Sequence, residues 1–293
     1  MSRLLIVDGH AYAYRAFHAI RELRSPTGQP TNAIYGFVKM LEKMRAAISP
    51  THLVVVWDGG LNADRLAALP DYKAQRPEMP EDLRPQLDDI GRFLAATGVA
   101  AYCREGVEAD DYIATLARKA ATAGWNVVIA SSDKDFMQLV SPAVGLLNPN
   151  DKTGAIWGQD QVMAKTGVAP AQVADWLALM GDAVDNIPGV AGVGPKTAAD
   201  LLQQFGSVEA LLVRLDEVKS EKLRTALRNS AEVVRRNQKL VRLPEVACEF
   251  LPEQLIIRPI DRQVLRELFS RWGFKGMLAA LDEAVAEKQA ELI

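Results

Sequence analysis

Short apolar runs that end in polar or acidic residues recur through the first half of the chain. Four of them have the length of buried strands: 4–7, 53–57, 99–102 and 126–130. Three stretches with apolar residues at helical spacing lie between them: 31–48, 82–97 and 109–123. Continuously apolar strands that alternate with helices are typical of a parallel sheet covered on both faces. The pattern therefore predicts an α/β domain with a central, mostly parallel sheet.

The second half of the chain has a different pattern, because the strand-like runs stop after about residue 158. Residues 159–180 and 199–242 have helical spacing, and a hairpin rich in Gly and Pro separates them at 181–199. We therefore expect an acidic α/β domain over residues 1–165 and a helical domain over residues 166–293.

The composition is that of an ordinary globular protein. The chain has 293 residues, of which 49% are hydrophobic and 24% charged, and this excludes a disordered chain, a collagen and a coiled coil. A formal net charge of −3 excludes nucleic-acid binding through a bulk positive charge but leaves a local basic patch open. The two cysteines, Cys103 and Cys248, make neither a disulfide framework nor a zinc site and suit a reducing cytosol. The longest apolar runs have the length of strands, so we expect no membrane span.

Carboxylates stand at the ends of three predicted strands and in two later clusters. Because ligands bind at the carboxyl ends of parallel strands, we expect these side chains to converge on one site. They are Asp8, Asp58, Glu108, Asp110, Asp111, Asp133, Asp135, Asp182 and Asp185. Any one of them alone reads more simply as a turn residue or as an acid at a helix N-terminus. Turns do not require acids in preference to Asn, Ser or Gly, so the whole set favours a functional site.

The expected cluster points to metal ions. Carboxylates packed this closely would destabilise the fold unless a cation lies among them. Oxygen ligands without His or Cys select hard ions such as Mg²⁺ or Mn²⁺. The set holds more carboxylates than one ion needs, which favours two ions. Two neighbouring ions suit the hydrolysis of a phosphodiester, because they stabilise its attacking and leaving oxygens.

The string IPGVAGVGPKTA at 187–198 predicts a helix-hairpin-helix at about 181–204. Backbone amides of such a turn, with the following helix N-terminus, can hold a DNA phosphate without reading bases. The residues expected to do so are Gly189, Gly192, Gly194, Lys196 and Thr197. A P-loop is excluded, because Pro195 interrupts its spacing and no strand precedes it. A plain connection between two helices is the simpler alternative.

Two further segments carry basic residues. Residues 214–242 contain nine Lys or Arg against four acids, which suits a track for a duplex backbone and also an ordinary solvated helix face. Residues 59–82 lack a clear period and predict a long loop or a mobile helical segment, with an arch at about 65–84. Its residues Arg65, Tyr72, Lys73 and Arg76 suit an unpaired base and its phosphates, although Tyr72 could simply pack under the loop.

These runs together resemble the 5′-nuclease (flap endonuclease) superfamily, and most of all the 5′–3′ exonuclease domain of bacterial DNA polymerase I. The resemblance covers roughly residues 3–250. It is carried by LLIVDGHAYAYRAFHA, TNAIYGF, VVVWD, YKAQRPEMPEDL, GVEADD, SSDKDFMQL and ALMGDAVDNIPGVAGVGPKTA. It implies a PIN-like α/β domain, a helical domain with a helix-hairpin-helix, and two Mg²⁺ ions for which Mn²⁺ can substitute.

The resemblance also implies roles for individual residues. One ion would be served by Asp8, Asp58, Glu108, Asp110 and Asp111, and the second by Asp133, Asp135, Asp182 and Asp185. Lys73 and Arg76 would match a cationic pair in the arch, and Tyr72 a base-stacking aromatic. Arg15 and the helix from Tyr35 to Lys39 would lie near the scissile phosphate. The hairpin from Gly189 to Lys196 would grip duplex DNA, and its carbonyls could hold a K⁺ ion.

The sequence departs from the family pattern at two places. The family often has a Lys and a Phe just before the arginine that matches Arg65, where this chain reads LNADR. It usually has Gly where this chain has Ser132. The first departure concerns how the arch holds substrate, and the second is minor.

The sequence therefore predicts a Mg²⁺-dependent nuclease that cuts DNA at a 5′ flap, a 5′ end or a nick. We expect a cytoplasmic, nucleoid-associated monomer with a DNA polymerase as a partner. Two alternatives stay open: a metal- and DNA-binding module with little activity, and a related acidic-site RNase.

Overall fold

Strands and helices alternate along the first half of the chain, and helices dominate after residue 158. In the computed structural model, which describes residues 2–248 and 251–290, the strands are β1 (Arg3–Asp8), β2 (His52–Val56), β3 (Ala100–Tyr102), β4 (Asn126–Ala130), β5 (Val144–Leu147), β6 (Ile156–Trp157), β7 (Gly181–Asp182) and β8 (Ile187–Pro188). The α-helices of the first half are α1 (Gly9–Ala19), α2 (Asn32–Ile48), α3 (Ala63–Ala68), α4 (Arg84–Ala96) and α5 (Ala109–Thr122). Those of the second half are α6 (Gln159–Thr166), α7 (Val173–Met180), α8 (Pro195–Phe205), α9 (Val208–Val213), α10 (Glu221–Asn229), α11 (Ala231–Val241), α12 (Pro252–Leu255), α13 (Arg262–Trp272) and α14 (Lys275–Ala290).

Distant stretches of sequence fold together into two compact units. The terminal unit contains Ser2–Trp57, Glu78–Tyr102 and residues 251–290. The central unit contains Asp58–Pro77 and residues 103–248. Each unit is described by itself below.

The terminal unit contains the parallel strands β1, β2 and β3. Leu5 lies opposite Leu53 in the first pair, and Val55 lies opposite Ala101 in the second. The apolar residues of β1 and β2 are almost fully buried, because strands covered on both faces need no alternation with polar residues. Asp8 ends β1 and caps α1, where its side chain accepts a hydrogen bond from Ala11 N at 3.1 Å.

Buried amide side chains fix the start of α2 in the same unit. Asn32 donates to the carbonyls of Phe17 and Ile20, at 2.8 and 2.9 Å. Gln86 of α4 accepts from Ala33 N at 2.8 Å and donates to Asn32 Oδ1 at 3.0 Å. These bonds hold α1, α2 and α4 together and satisfy polar groups that water cannot reach.

In the central unit β4 pairs in parallel with β5, and β5 pairs antiparallel with β6. The apolar face of α5 packs on β4, and α7 packs against α8 and α11. Asn237 of α11 is fully buried and donates to the carbonyls of Ala178 and Pro188, at 3.1 and 2.7 Å. The side chain of Asn237 therefore joins α11 to the end of α7 and to the hairpin that follows it.

The predicted α/β class, with a mostly parallel sheet flanked by helices and a helical second part, is confirmed. The four predicted strands correspond to β1, β2, β3 and β4, and the predicted helices to α2, α4 and α5. The pattern missed β5 and β6, because they are short and only half-buried. The helical stretch 199–242 is divided into α8 to α11, since Gly206 ends α8 with φ +85° and Ser207 and Ser220 cap the next helices.

Two further expectations concern the segment after β2 and the domain boundary. Residues 59–82 contain the short helix α3 and then a tight turn at 70–75, in place of a continuous loop. The division at residues 165 and 166 stays a prediction. Among the described residues, no helix has both the length and the apolar character needed to cross a membrane.

Candidate active site

Two elements of the central unit begin with carboxylates. Glu108 stands at the N-cap of α5, and Asp110 and Asp111 follow in the first turn. Asp133 caps the 3₁₀ turn Lys134–Leu139 by accepting a hydrogen bond from Asp135 N at 2.9 Å. Acids are favoured at both places because the first backbone N–H groups of a helix have no helical partner.

The hairpin between β7 and β8 supplies two more carboxylates. Asp182 ends β7 and accepts from Val184 N at 3.0 Å, and Asp185 precedes β8. Both side chains are buried. The hairpin is tight because Gly181 has φ +77°, and a Cβ there would lie 2.4 Å from Gly189 N.

The carboxylates of these three elements converge. The charge of Asp135 interacts with those of Asp133, Asp185, Asp182 and Asp110. Burial first, and then these four charges, raise the pKa of Asp135 well above its ordinary value. Among the described residues, Asp135 Oδ1 has no hydrogen-bond partner. A buried carboxylate oxygen without a donor, surrounded by like charges, is a place where a cation would stabilise the protein.

Basic side chains partly neutralise the cluster. The contacts are Arg65 with Asp111 at 2.7 Å, Arg76 with Asp185 at 2.7 Å, Lys134 with Asp182 at 2.8 Å, and Lys73 with Glu108. The carboxylates of the three elements outnumber these four cations. An excess of negative charge therefore remains around Asp135.

The three acids of α5 differ in their electrostatic surroundings. Burial alone would raise the pKa of Glu108, but the charges of Lys73 and Arg65 outweigh it and leave this pKa below its ordinary value. Burial raises the pKa of Asp110. Burial and the charge of Asp110 raise the pKa of Asp111 to about 6, against the opposing effect of Arg65. Glu108 is therefore the acid that the neighbouring cations hold most firmly in its charged form.

Lys73 and Tyr72 lie inside the cluster and not on an exposed arch. Lys73 has φ +57°, and its backbone N donates to the carbonyl of Asp185 at 3.0 Å. Tyr72 is 2% exposed, and its hydroxyl lies 3.3 Å from Glu108 Oε2 and 3.4 Å from Asp185 Oδ2. The burial of Tyr72 favours the alternative, that Tyr72 packs under the loop. Its expected role in stacking on an unpaired base stays a prediction.

Arg65 is also buried, and its expected role in DNA binding stays a prediction. Its guanidinium forms a two-pronged pair with Asp111 and lies 3.0 Å from Glu108 Oε1. Its Nε donates to the carbonyl of Leu240 at 3.0 Å, and Nη2 donates to that of Arg242 at 3.4 Å. Protein groups therefore occupy the guanidinium on several sides.

The donor set of the cluster fits hard divalent ions, although its side chains face cations in this structure. In the part of the chain described, no three His, Cys, Asp or Glu side chains are arranged as a ready metal site. Lys73 contacts a carboxylate of α5, and Arg76 and Lys134 contact the two carboxylates of the hairpin between β7 and β8. Two features still fit an ion: the donors are carboxylate oxygens alone, and Asp135 Oδ1 is buried without a donor.

The predicted hairpin forms between α7 and α8. Val190 and Val193 are buried and anchor the turn, while Gly192, Gly194 and Lys196 are exposed and Thr197 is half-buried. Gly192 has φ +81°, which a residue with a side chain rarely adopts. Pro195 opens α8, as the sequence predicts. The turn thus presents backbone and one lysine to solvent, which is the arrangement that phosphate contacts need.

The basic segment at 214–242 is partly neutralised by its own acids. Three arginines pair with neighbouring carboxylates: Arg214 with Glu217, Arg228 with Asp216, and Arg235 with Glu232. Such exposed pairs are typical of a solvated helix face. Lys219, Lys222 and Lys239 are exposed as well. The segment is therefore compatible with a track for a duplex backbone and with an ordinary solvated helix face.

The remaining predicted site residues stay predictions. Asp58 follows β2 and accepts from Gly60 N at 3.1 Å. In the terminal unit Arg15 is exposed on α1, and Tyr35 of α2 packs edge-on against Phe274 with ring centroids 5.2 Å apart. Lys39 lies 3.0 Å from Glu42, and Asp8 caps α1 as described above.

The sequence interpretation missed two residues of the central unit that contact the cluster. Lys134 pairs with Asp182, and its position between two acids in SSDKD could have indicated this role. Asn62 donates its backbone N–H to Glu108 Oε1 at 3.0 Å and caps α3 with its side chain. No periodicity in the sequence points to the contact between Asn62 and Glu108, because 46 residues separate them.

Two family models match consecutive parts of the chain. The 5′–3′ exonuclease N-terminal resolvase-like domain matches residues 3–167, and the 5′–3′ exonuclease C-terminal SAM fold matches residues 168–263. This chain belongs to the 5′–3′ exonuclease family. The predicted resemblance to this group of nucleases is confirmed.

Two curated relatives of this 5′–3′ exonuclease family member differ greatly in length. The 5′–3′ exonuclease of Aquifex aeolicus (strain VF5) is 39% identical over 285 residues, which is 97% of this chain and 96% of that protein. DNA polymerase I of Bacillus caldotenax is 38% identical over 293 residues, or 99% of this chain. The chain spans about a third (33%) of the length of that polymerase.

Solved structures share the fold of this family member. The T5 D15 protein co-crystallised with metal ions superposes with a TM-score of 0.71 and 26% identity, covering 83% of this chain and 90% of that one. T5 5′-exonuclease with bound zinc gives a TM-score of 0.69 and 28% identity, over the same shares of the two chains. The catalytic core of Rad2 in complex with DNA substrate shares the fold, with a TM-score of 0.67 and 17% identity, over 92% of this chain and 88% of that one.

Proposed function

We propose that this 5′–3′ exonuclease family member is a Mg²⁺-dependent, structure-specific nuclease that cuts DNA at a 5′ flap, a 5′ end or a nick. The observation that carries the proposal is the buried carboxylate cluster around Asp135, which contains an oxygen without a hydrogen-bond partner and acids paired with lysine and arginine side chains. Structures of T5 5′-exonuclease contain metal ions, which supports a metal at this cluster.

The acids divide into two groups by the element that carries them. As the family resemblance implies, Asp8, Asp58, Glu108, Asp110 and Asp111 would serve one Mg²⁺. Asp133, Asp135, Asp182 and Asp185 would serve the second. When bound, the two ions would activate water and stabilise the leaving 3′ oxygen of the phosphodiester. Mn²⁺ would substitute, because it accepts the same oxygen ligands.

Lys73 and Arg76 are the cations placed to bind the substrate phosphate. In this structure they contact Glu108 and Asp185, two acids of the proposed metal site. Lys73 and Arg76 would therefore exchange these carboxylates for the substrate phosphate, and Glu108 and Asp185 would then be available to hold the ions. Charge on the phosphate would then be stabilised by fixed donors in a site that excludes much of the water. Arg15, exposed on α1, would approach the same phosphate, with Tyr35 and Lys39 on α2 near the DNA.

The hairpin at 181–204 would hold the duplex part of the substrate. Gly192, Gly194 and Lys196 are exposed there, so backbone N–H groups and one ammonium can contact phosphates without reading bases. Gly189 and Thr197 flank this surface, and carbonyls of the turn would hold a K⁺ ion. Specificity would then follow the shape of the DNA and not its sequence. A polymerase, fused or separate, would fit such a nuclease as partner, since it creates the nicks and flaps.

The test is a cleavage assay with a 5′-labelled flap, a gapped duplex and a blunt duplex, each with Mg²⁺ and with EDTA. We expect cleavage of the flap that requires Mg²⁺ and is lost in Asp133→Asn. Asp160→Asn, which changes an exposed acid on α6, is the matched control and should cut normally. DNA binding without cleavage would favour the inactive binding module, and faster cleavage of the RNA version of the strand would favour an RNase.

A further inference from the structure

Arg65 and Asp111 form a buried, two-pronged ion pair. Arg65 is 5% exposed, and Asp111 is fully buried. Arg65 Nη2 lies 2.7 Å from Asp111 Oδ1, and Nη1 lies 3.1 Å from Oδ2. Asn62 Nδ2 lies 3.4 Å from the same Oδ2. Donors of the protein therefore occupy both oxygens of Asp111.

Arg65 is held in place from a second direction. Its Nε donates to the carbonyl of Leu240 and its Nη2 to that of Arg242, at the end of α11. Hydrogen bonds on two sides fix the orientation of a planar guanidinium, so it cannot rotate without breaking them. Lys73 differs, because its single ammonium contacts Glu108 from the end of a flexible chain. An incoming ion could displace Lys73 far more easily than Arg65.

We infer that Asp111 is a positioning residue and not a metal ligand: it holds Arg65, and the pair leaves Glu108 and Asp110 as the acids of α5 that face an ion. The inference rests on the proposed function of the cluster as a metal site. It departs from the ligand set that the family resemblance implies for this chain. Through Leu240 and Arg242 the pair also ties the start of α5 to α11, whose Asn237 holds the hairpin.

The pair matters for metal binding because Arg65 already lies close to the two other acids. Its Nη1 is 3.0 Å from Glu108 Oε1 and 3.7 Å from Asp110 Oδ1. If Asp111 loses its charge, the guanidinium interacts more strongly with Glu108 and Asp110 and competes there with the ion. Removing Arg65 as well removes this competitor. If Asp111 were itself a metal ligand, removing Arg65 would not restore the metal affinity that the loss of Asp111 abolishes.

The experiment measures Mn²⁺ affinity of the full chain by calorimetric titration without DNA. We expect Asp111→Asn to weaken Mn²⁺ binding by about tenfold or more, the range found when residues that orient metal ligands are changed. Adding Arg65→Met to Asp111→Asn should return most of the lost affinity. Adding Arg118→Met in its place is the matched control. Arg118 also lies on α5 and feels the charge of Asp111, but its guanidinium bonds to the carbonyl of Leu243.

The outcomes separate a positioning role from a ligand role. A double variant with Arg65→Met that binds Mn²⁺ no better than Asp111→Asn would overturn the inference, as would equal rescue by Arg118→Met. Unchanged affinity in Asp111→Asn would overturn it too. No Mn²⁺ binding by the unmodified chain would overturn the proposed function itself, and this inference with it.

A second variant decides the question if the double variant does not fold. Arg65→Lys keeps every carboxylate and the positive charge but cannot form the two-pronged pair. We expect it to bind Mn²⁺ more weakly while its circular-dichroism spectrum and its duplex affinity in EDTA stay the same. Unchanged Mn²⁺ affinity in a folded Arg65→Lys would overturn the inference.

Discussion

Arg76 Nη2 lies 2.7 Å from Asp185 Oδ1, so a cation expected to bind the substrate phosphate is held by an acid expected to bind a metal ion. The hydrogen bond and the charge of Asp185 raise the pKa of Arg76, although burial opposes them. Arg76 therefore stays charged at any working pH. The proposed exchange of Asp185 for the substrate phosphate would therefore leave the charge of Arg76 unchanged.

Arg76→Ala should lower kcat by about 10²–10³-fold, as the loss of one donor to a developing charge usually does. Duplex affinity in EDTA should change little, because we propose that the hairpin and not Arg76 contacts the duplex. Single-turnover cleavage of a flap at saturating enzyme measures the effect. Arg92→Ala is the control, since Arg92 is an exposed arginine paired with Asp89 at 2.8 Å. A normal rate in Arg76→Ala would remove Arg76 from the proposed chemistry.

Asp135→Asn should stabilise the metal-free protein at pH 8, by on the order of 1–3 kcal/mol, because it removes a buried charge whose Oδ1 lacks a donor. The folded-state pKa of Asp135 is raised, so the folded state binds a proton more tightly than the unfolded chain does. The contribution of Asp135 to stability therefore falls as pH rises from the unfolded pKa of about 3.9 towards the raised folded pKa. The gain from Asp135→Asn should shrink at low pH, where wild-type Asp135 is protonated.

Urea unfolding in EDTA at pH 5 and pH 8, repeated with Mg²⁺ at pH 8, checks this prediction. Mg²⁺ should stabilise the wild type, since a ligand that binds only the folded state adds to its stability. With Mg²⁺ the wild type should therefore be more stable than Asp135→Asn, the reverse of the order in EDTA. Asp160→Asn should differ from wild type by no more than about 0.5 kcal/mol under all three conditions. A destabilised Asp135→Asn in EDTA would contradict the unfavourable charge inferred at this position.

Asn237→Ala should destabilise the protein by about 1–3 kcal/mol, because it removes a donor from the buried carbonyl of Ala178 and from the partly buried carbonyl of Pro188. The hairpin would lose its tie to α11, so duplex affinity should also fall. Thermal unfolding and a fluorescence binding assay measure the two effects. Gln203→Ala, which removes an exposed donor to the carbonyl of Gly167, is the control. Unchanged duplex affinity would show that the hairpin keeps its position without Asn237.

Lys196→Ala should weaken binding to all duplex sequences alike, because the contact proposed for its ammonium is with phosphate and not with bases. The slope of log affinity against log salt should become shallower by about 0.9, the value for one phosphate contact. A salt titration of duplex binding gives this slope. Lys165→Ala changes an exposed lysine of α6 and should leave the slope as it is. An unchanged slope in Lys196→Ala would place the duplex elsewhere.

Much of the molecule follows from local pattern. Residues 4–7 of β1 and 127–130 of β4 are apolar and buried, so the hydrophobic pattern alone predicts both strands. The acids of α5 and of the 3₁₀ turn lie where helices begin, and this is a local preference that can be predicted from the sequence. The turn before Pro195 is also a local preference, since glycine permits backbone conformations that other residues avoid and proline fixes its own φ.

What no local pattern contains is the pairing between distant side chains. Arg65 and Tyr72 resemble exposed contacts for DNA when read along the chain, yet both are buried against acids that lie 46 and 36 residues away. Whether a charged side chain faces solvent or a partner depends on what the folded chain brings beside it.

The sequence by itself therefore determined the class of fold, the set of carboxylates and the family. Only the tertiary structure decided which cation each acid faces, that Asp135 carries an unpartnered oxygen, and that Arg65 is enclosed with Asp111. The physical reason is that burial and electrostatic coupling are properties of a packed site, and segments far apart in sequence build that site together.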